Sequence, residues 1–335
     1  MSIQANAVIF TAPAQVQVGS VLVPEPGPGE VRIRTVYSGI SQGTERWMLL
    51  GRYNRMDQAV DTSYPCYPGY QAAGIVESVG ADVSDLRPGD RVIASGTRFA
   101  DGSPVPPGRA SHCAYLTAPR SEVARLGPDA DLAAASLFVM AAVGRHGTRL
   151  ADVSTGERVL VIGQGMIGQM SAQAARRRGA HVVAADLIES RVELSASHSA
   201  DRAALAAGDA LEALVREETE AGFDVVIDTT GNSAMFDTCL ALLRREGRLV
   251  LQGYYPDPVV IDFHRAHLQR VTVVFPCGWD RENDQQLADD LTRGKPSITP
   301  LISHRLNYQQ APEAYRLITD HPDRTLGMVL RWSDA

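Results

Sequence analysis

The chain has 335 residues, 44% hydrophobic and 21% charged, with 32 Lys and Arg against 39 Asp and Glu for a net charge of −7. Two folded domains fit that length and composition, and the acidic balance excludes a binder of phosphate backbones, so no nucleic-acid partner is expected. No apolar run reaches the ~20 residues that span a bilayer, MSIQANAVIF lacks a signal-peptide layout, and four scattered cysteines without a CxxC pair form no disulfide framework; a cytoplasmic protein with no membrane partner is expected.

Residues 1–125 alternate short apolar runs with turn sequences. The runs Ala7–Phe10, Gln15–Val23, Val31–Tyr37, Ala73–Val79, Arg91–Ala94 and Cys113–Leu116 read as strands, punctuated by PEPGPGE, RPGD and PPGR. From Asp131 a run of good helix formers begins. Beyond it strands and helices alternate: strand Arg158–Ile162, helix Ile167–Arg178, strand His181–Ala185, helix Ala207–Glu220, then strands Phe223–Ile227, Arg248–Leu251 and Val271–Phe275. Such alternation implies crossover units and a parallel sheet covered on both faces. The remaining elements, helix Glu282–Arg293, strand Ile302–Leu306, helix Pro312–Thr319 and strand Leu326–Trp332, are too small to bury a core alone. They are expected to return to the first domain, giving one domain from 1–125 with 276–335 and an inserted one from 126–275.

The sharpest motif is VLVIGQGMIGQ. Gly163, Gly165 and Gly168 form GxGxxG between an apolar strand and a helix, with Met166 and Ile167 in the opening helical turn. The first glycine permits the tight turn, the second a close approach to pyrophosphate, the third close helix–strand packing. The helix N-terminus offers free N–H groups and partial positive charge to phosphates. Asp186 stands 18 residues after Gly168, at the end of the next strand. A carboxylate there accepts ribose hydroxyls and repels a 2′-phosphate, favouring NAD over NADP; Arg191 weakens that preference. Thr230 and Gly253 follow later strand ends and are expected beside the nicotinamide half.

The two-domain layout, with GISQGTE at 39–45, PGYQAAGIVESVG at 68–80 and RPGDRV at 87–92, resembles the medium-chain dehydrogenase/reductase family over nearly the whole chain. The resemblance implies an α/β protein with a GroES-like β-barrel catalytic domain plus a doubly wound Rossmann dinucleotide-binding domain, and a homodimer or homotetramer. SGISQGTER, YPGYQAAG, ASHCAYLTAP, Gly144-Arg145-His146, LQGYY and PLISHR are similar to the zinc-less group that includes bacteriochlorophyllide a dehydrogenase. Zinc members carry a cysteine before GTD or GSD, a His-Glu pair after Pro-Gly and a further Cys or Glu in the following helix. Here those places hold Ser41, Tyr70-Gln71 and Phe138, and only Cys113 remains of the four cysteines that hold a structural zinc. No metal is expected at either place.

Without a metal, a hydrogen-bonding group or general base must handle the substrate proton. The family's relay hydroxyl matches Thr44, with Ser41 and Gln71 as partners of the substrate oxygen. Glu45 is either the base or a structural acid, and Tyr70 either an acid or a packing group. His146, on an apolar helix, is a packing residue or a cofactor contact. His264 and His267, at i and i+3, read as a solvated helix face, and Trp279 and Tyr255 as aromatic wall or core. The expected activity is NAD-linked interconversion of a secondary alcohol, on a sugar, cyclitol, tetrapyrrole side chain or secondary metabolite, and its ketone. A zinc-less enoyl or quinone reductase and a non-catalytic nucleotide-binding protein are the alternatives.

Overall fold

The structure, a computed structural model, describes residues 2–53, 64–100 and 110–334; the expected PPGR turn at 106–109 lies outside them. Two compact units emerge, Met1–Val139 with Arg281–Ala335, and Met140–Asp280. The division falls at 139/140, where the sequence places it near 125.

In the first unit β1 (Ile3–Ala12) and β2 (Gln15–Val23) form an antiparallel pair. A second sheet contains β3 (Glu30–Gly39), β4 (Ala72–Val79), β5 (Arg91–Ala94), β6 (Tyr115–Pro119) and β7 (Val123–Arg125). Three helices interrupt or follow these strands: α1 (Gln42–Leu49), α2 (Leu132–Ala135) and α3 (Phe138–Leu150), the last reaching into the second unit. The helix α1 is not among the elements read from the sequence of this nearly all-β region. It buries Glu45, Met48 and Leu49 on one side, a face whose polar member no apolar pattern reveals.

The second unit runs β8 (Arg158–Ile162), α4 (Met166–Arg177), β9 (His181–Asp186), α5 (Glu189–His198), β10 (Arg202–Leu205), α6 (Asp209–Glu218), β11 (Phe223–Asp228), α7 (Phe236–Leu242), β12 (Leu243–Leu251), α8 (Phe263–Gln269) and β13 (Thr272–Val274). Its sheet has the order β10-β9-β8-β11-β12-β13 with every pair parallel. Successive strand residues point to opposite faces. Val159, Val161, Val182 and Ala184 therefore pack with Ala172 and Ala175 of α4 on one side. Leu160, Ile162, Val183 and Ala185 pack with Leu211, Leu214 and Phe236 on the other. Strands buried on both faces explain the near-continuous apolar runs. The order reverses between β8 and β11, and ligands of open parallel sheets lie at such a switch point, off the carboxyl ends of the strands.

The chain returns to the first unit through α9 (Asp284–Thr292), β14 (Ile302–Asn307), α10 (Ala311–Asp320) and β15 (Gly327–Arg331). Strand β15 pairs antiparallel with β3, aligning Val329 with Gly39, and β14 pairs parallel with β15. Tyr315 of α10 and Trp332 thereby enter the core of the first unit with Ile40, Met48 and Cys66.

Candidate active site

At the carboxyl end of β8, Gly163 adopts φ +84°, the left-handed region that glycine enters without strain. A Cβ on Gly168 would stand 1.8 Å from the Gly163 carbonyl oxygen, so only glycine lets α4 pack on this turn. Gly165 differs: a Cβ there would meet nothing within 4 Å. It is the N-cap of α4 and offers no side-chain cap, which leaves the N–H groups of the first turn, at Met166 and Ile167, to an outside acceptor. Open space over uncapped helical N–H groups is the cradle that a pyrophosphate fills.

Asp186 closes the same turn. Its Oδ2 accepts the backbone N–H of Gln164 at 2.5 Å and its Oδ1 that of Ile188 at 2.9 Å, while Arg191 Nη1 lies 4.0 Å from Oδ2. Seven residues read from the sequence, Gly163, Gly165, Met166, Ile167, Gly168, Asp186 and Arg191, thus converge on one strand–turn–helix. The loops after β11 and β12 meet beside it: Thr229 Oγ1 donates to the Gly163 carbonyl at 2.8 Å, and a Cβ on Gly253 would lie 2.7 Å from Gly231 N. Asp228, which the sequence reading passes over, ties these loops together. It accepts Thr230 N–H at 2.9 Å on Oδ1 and the Tyr255 hydroxyl at 2.8 Å on Oδ2, and its carbonyl accepts Gly253 N–H at 3.1 Å. Burial raises the Asp228 carboxyl above the usual range, against the pull of Thr230 and Tyr255. Tyr255 therefore braces the loop rather than presenting a free hydroxyl.

In the first unit, Ser41 is the N-cap of α1. The Tyr70 hydroxyl donates to Ser41 Oγ, and the Thr44 hydroxyl lies near enough to favour the ionised phenol, so three of the five proton-handling candidates form one cluster. Burial first, and the Glu45 charge second, push the Tyr70 phenol well above its ordinary pKa. Gly69 places this tyrosine: its φ is +91°, and a Cβ would lie 2.7 Å from His112 N. Gln71 stands apart. It is fully buried, its Nε2 donates to Gly39 O at 3.3 Å and its Oε1 accepts Val139 N–H at 3.0 Å. Those bonds make it a brace between backbone segments instead of a contact for substrate oxygen.

Glu45 is also fully buried. Its Oε1 accepts the Ser41 backbone N–H at 3.0 Å, and its Oε2 meets the Tyr315 hydroxyl at 2.5 Å and His112 Nε2 at 3.0 Å. His112 Nδ1 lies 2.7 Å from Ser38 Oγ, which accepts the Trp332 indole N–H at 2.8 Å. His112, Tyr315, Ser38 and Trp332 escape the sequence reading, although ASHCAYLTAP is singled out for another reason. His146, read as a packing residue or a cofactor contact, accepts from Arg149 Nη2 at 3.3 Å, and burial, then Arg149, lowers its pKa.

A zinc ion does not suit the donor set at the positions matching the family's ligands. Ser41 and Tyr70 offer hydroxyls, Gln71 an amide already bonded at both ends, and Phe138 a buried phenyl ring. Cys66 and Cys113 are held as thiols, burial pushing each up to about 12. Among the described residues no three His, Cys, Asp or Glu side chains are grouped to hold a metal, and no helix is long and apolar enough to cross a membrane.

Residues 27–133 match the family described as alcohol dehydrogenase GroES-like domain, and residues 167–292 the family described as zinc-binding dehydrogenase. The chain is 28% identical over 332 residues to 2-desacetyl-2-hydroxyethyl bacteriochlorophyllide A dehydrogenase of Cereibacter sphaeroides, covering 98% of both chains. It is 30% identical over 318 residues to sorbitol dehydrogenase of Gallus gallus, covering 88% of this chain and 87% of that one. Two solved structures share the fold at TM-score 0.83. One is a putative zinc-binding dehydrogenase from Sinorhizobium meliloti bound to NADP, 22% identical over 98% of this chain and 99% of that one. The other is an alcohol dehydrogenase from Escherichia coli complexed with NADH, 20% identical over 98% and 99%. With the six-stranded parallel sheet, its glycine turn and the first unit's sheet all in place, the chain belongs to the medium-chain dehydrogenase/reductase superfamily and is an oxidoreductase.

Proposed function

We propose that the chain is an NAD(H)-dependent, zinc-independent dehydrogenase of secondary alcohols, running equally as a ketone reductase, in which Tyr70 exchanges the proton of the substrate oxygen. The Tyr70–Ser41 hydrogen bond carries the reading, because hydroxyls stand where the family's metal members place ligands. Relatives that act on a hydroxyethyl group and on sorbitol support a small-molecule secondary alcohol.

The second unit would hold the dinucleotide through Gly163, Gly165, the N–H groups of Met166 and Ile167, Gly168 and the Asp186 carboxylate. Thr230, Gly253 and Arg191 border it. Bound there, the nicotinamide supplies the hydride acceptor for alcohol oxidation and the donor for ketone reduction. The charge of Asp186 disfavours a 2′-phosphate and supports NAD over NADP. Arg191 Nη1 lies 4.0 Å from that charge.

In the first unit the Tyr70 phenol keeps its proton at neutral pH and presents it as a donor. During ketone reduction the phenol O–H turns from Ser41 Oγ to the substrate oxygen and gives up its proton there; the Ser41 hydroxyl then donates to the phenolate, and solvent water replaces the proton through the Ser41 and Thr44 hydroxyls. Oxidation reverses the path. Glu45 takes no proton from substrate in this reading, since three donors already occupy its oxygens. Exposed Val260, Phe263, Leu268 and Phe275 near the edge strand β13 support a homo-oligomer.

The test is the Tyr70→Phe variant, assayed with NAD+ against sorbitol, 2R,3R-butanediol and other secondary alcohols. A general acid–base group contributes about 10²–10⁴-fold, and a loss of that size in kcat with an unchanged KM for NAD+ is expected. Full turnover by the variant rules the assignment out.

A further inference from the structure

The only ion-pair partner of Glu45 among the described residues is an imidazole. A carboxylate buried without a Lys or Arg is costly unless donors occupy its oxygens. Here Ser41, His112 and Tyr315 supply the donors, and Ser38 and Trp332 stand behind His112. The indole N–H of Trp332 can only donate, so Ser38 Oγ accepts it at 2.8 Å. Ser38 is then free to donate to His112 Nδ1 at 2.7 Å, and His112 Nε2–H to Glu45 Oε2 at 3.0 Å. Tyr315 completes the same oxygen.

Apolar side chains of similar volume often stabilise a core as well as a buried ion does, and Met48, Ile40 and Phe10 already surround the site. What the carboxylate adds is its other oxygen, which grips the Ser41 backbone N–H at 3.0 Å. We infer that His112 and Tyr315 are positioning residues: by fixing Glu45 they fix Ser41, whose hydroxyl receives the Tyr70 hydrogen bond. The inference rests on the role proposed above for Tyr70. The same anion opposes ionisation of the Tyr70 phenol; the other groups that bear on it are Tyr53, Tyr315 and the hydroxyls of Ser41 and Thr44.

Two arms test it on the full chain. Tyr315→Phe keeps the ring that packs edge-on against Phe10 with centroids 4.9 Å apart and removes only the hydroxyl; His112→Gln is the second variant. NMR of protein labelled at tyrosine Cζ and at backbone nitrogen reads the Tyr70 and Ser41 signals without turnover. Both signals are expected to shift in each variant, and signals that stay in place overturn the inference. The second arm is NAD+-linked oxidation of 2R,3R-butanediol. Tyr315→Phe should lower kcat about tenfold, the equivalent of a fraction of one charged hydrogen bond, with the KM for NAD+ unchanged. In a Tyr70→Phe background the same substitution should change kcat less than about twofold; an undiminished loss there overturns the inference, because His112 and Tyr315 would then act without Tyr70. Full turnover by Tyr70→Phe defeats the proposed function instead, and leaves the NMR arm to decide the positioning.

Discussion

The carboxylate of Asp186 accepts the backbone N–H of Gln164 at 2.5 Å, 22 residues earlier in the chain. The side chain proposed to receive ribose hydroxyls is therefore also a strut of the glycine turn. Removing its charge should act on both. Asp186→Asn is expected to weaken NADH binding about 10–100-fold, in line with losing hydrogen bonds to a charged group, while NADPH binding weakens less or improves. Fluorescence titration with both nucleotides measures this; an unchanged preference for NADH in the variant contradicts it.

The glycines of the turn separate fold from binding. Gly165 has open space where a Cβ would be, whereas Gly168 would drive its Cβ to 1.8 Å from a carbonyl oxygen. Gly165→Ala should keep its stability to within about 1 kcal/mol, the scale of an N-cap exchange, yet lose dinucleotide affinity. Gly168→Ala should lose folded protein or fall well below wild type in Tm. Thermal unfolding with and without NADH checks both, and equal stability of the two variants would contradict the packing described.

Two carboxyls of the second unit, Asp224 and Glu218, should contribute to acid sensitivity. Burial would raise the Asp224 carboxyl, but hydrogen bonds from Arg158 N and from Arg244 outweigh it and lower the pKa below its ordinary 3.8. Glu218 is lowered below 4.5 by Arg202 and His181 against a similar burial effect. Carboxyls depressed in the folded state contribute stability above their unfolded pKa and lose it as pH falls through the folded value. Stability should therefore hold above about pH 4.5 and decline below it, and Asp224→Asn should flatten that decline. Tm measured from pH 3 to 7 decides, a parallel decline in the variant being the contrary result.

The dinucleotide turn is legible in the sequence because its chemistry is local: GxGxxG, a strand before it and an acid one strand later all lie between residues 158 and 186. The strand β10 and helices α5 and α7 are harder to read. Arg202–Leu205 is four residues of which none is fully buried, and α5 buries only Ser195, so neither carries an apolar rhythm. The helix expected from Ala207 starts at Asp209 because Gly208, at φ +51°, stands before it. In the first unit Ser41, Thr44 and Tyr70 are picked out by the resemblance to the family's motifs, but the residues that support them are not. Glu45 finds His112 and Tyr315 67 and 270 residues away, and Gln71 is occupied by backbone groups that only the folded chain brings near. Long-range polar partners leave no periodic trace.

The central claim is that side-chain hydroxyls, and no metal, handle the substrate proton. Metal content by inductively coupled plasma mass spectrometry, paired with NAD+-linked turnover before and after exhaustive dialysis against a chelator, tests it most directly. The account predicts far less than one equivalent of transition metal per chain and the same turnover after dialysis. One tightly held equivalent whose removal abolishes turnover, and whose return restores it, would contradict it.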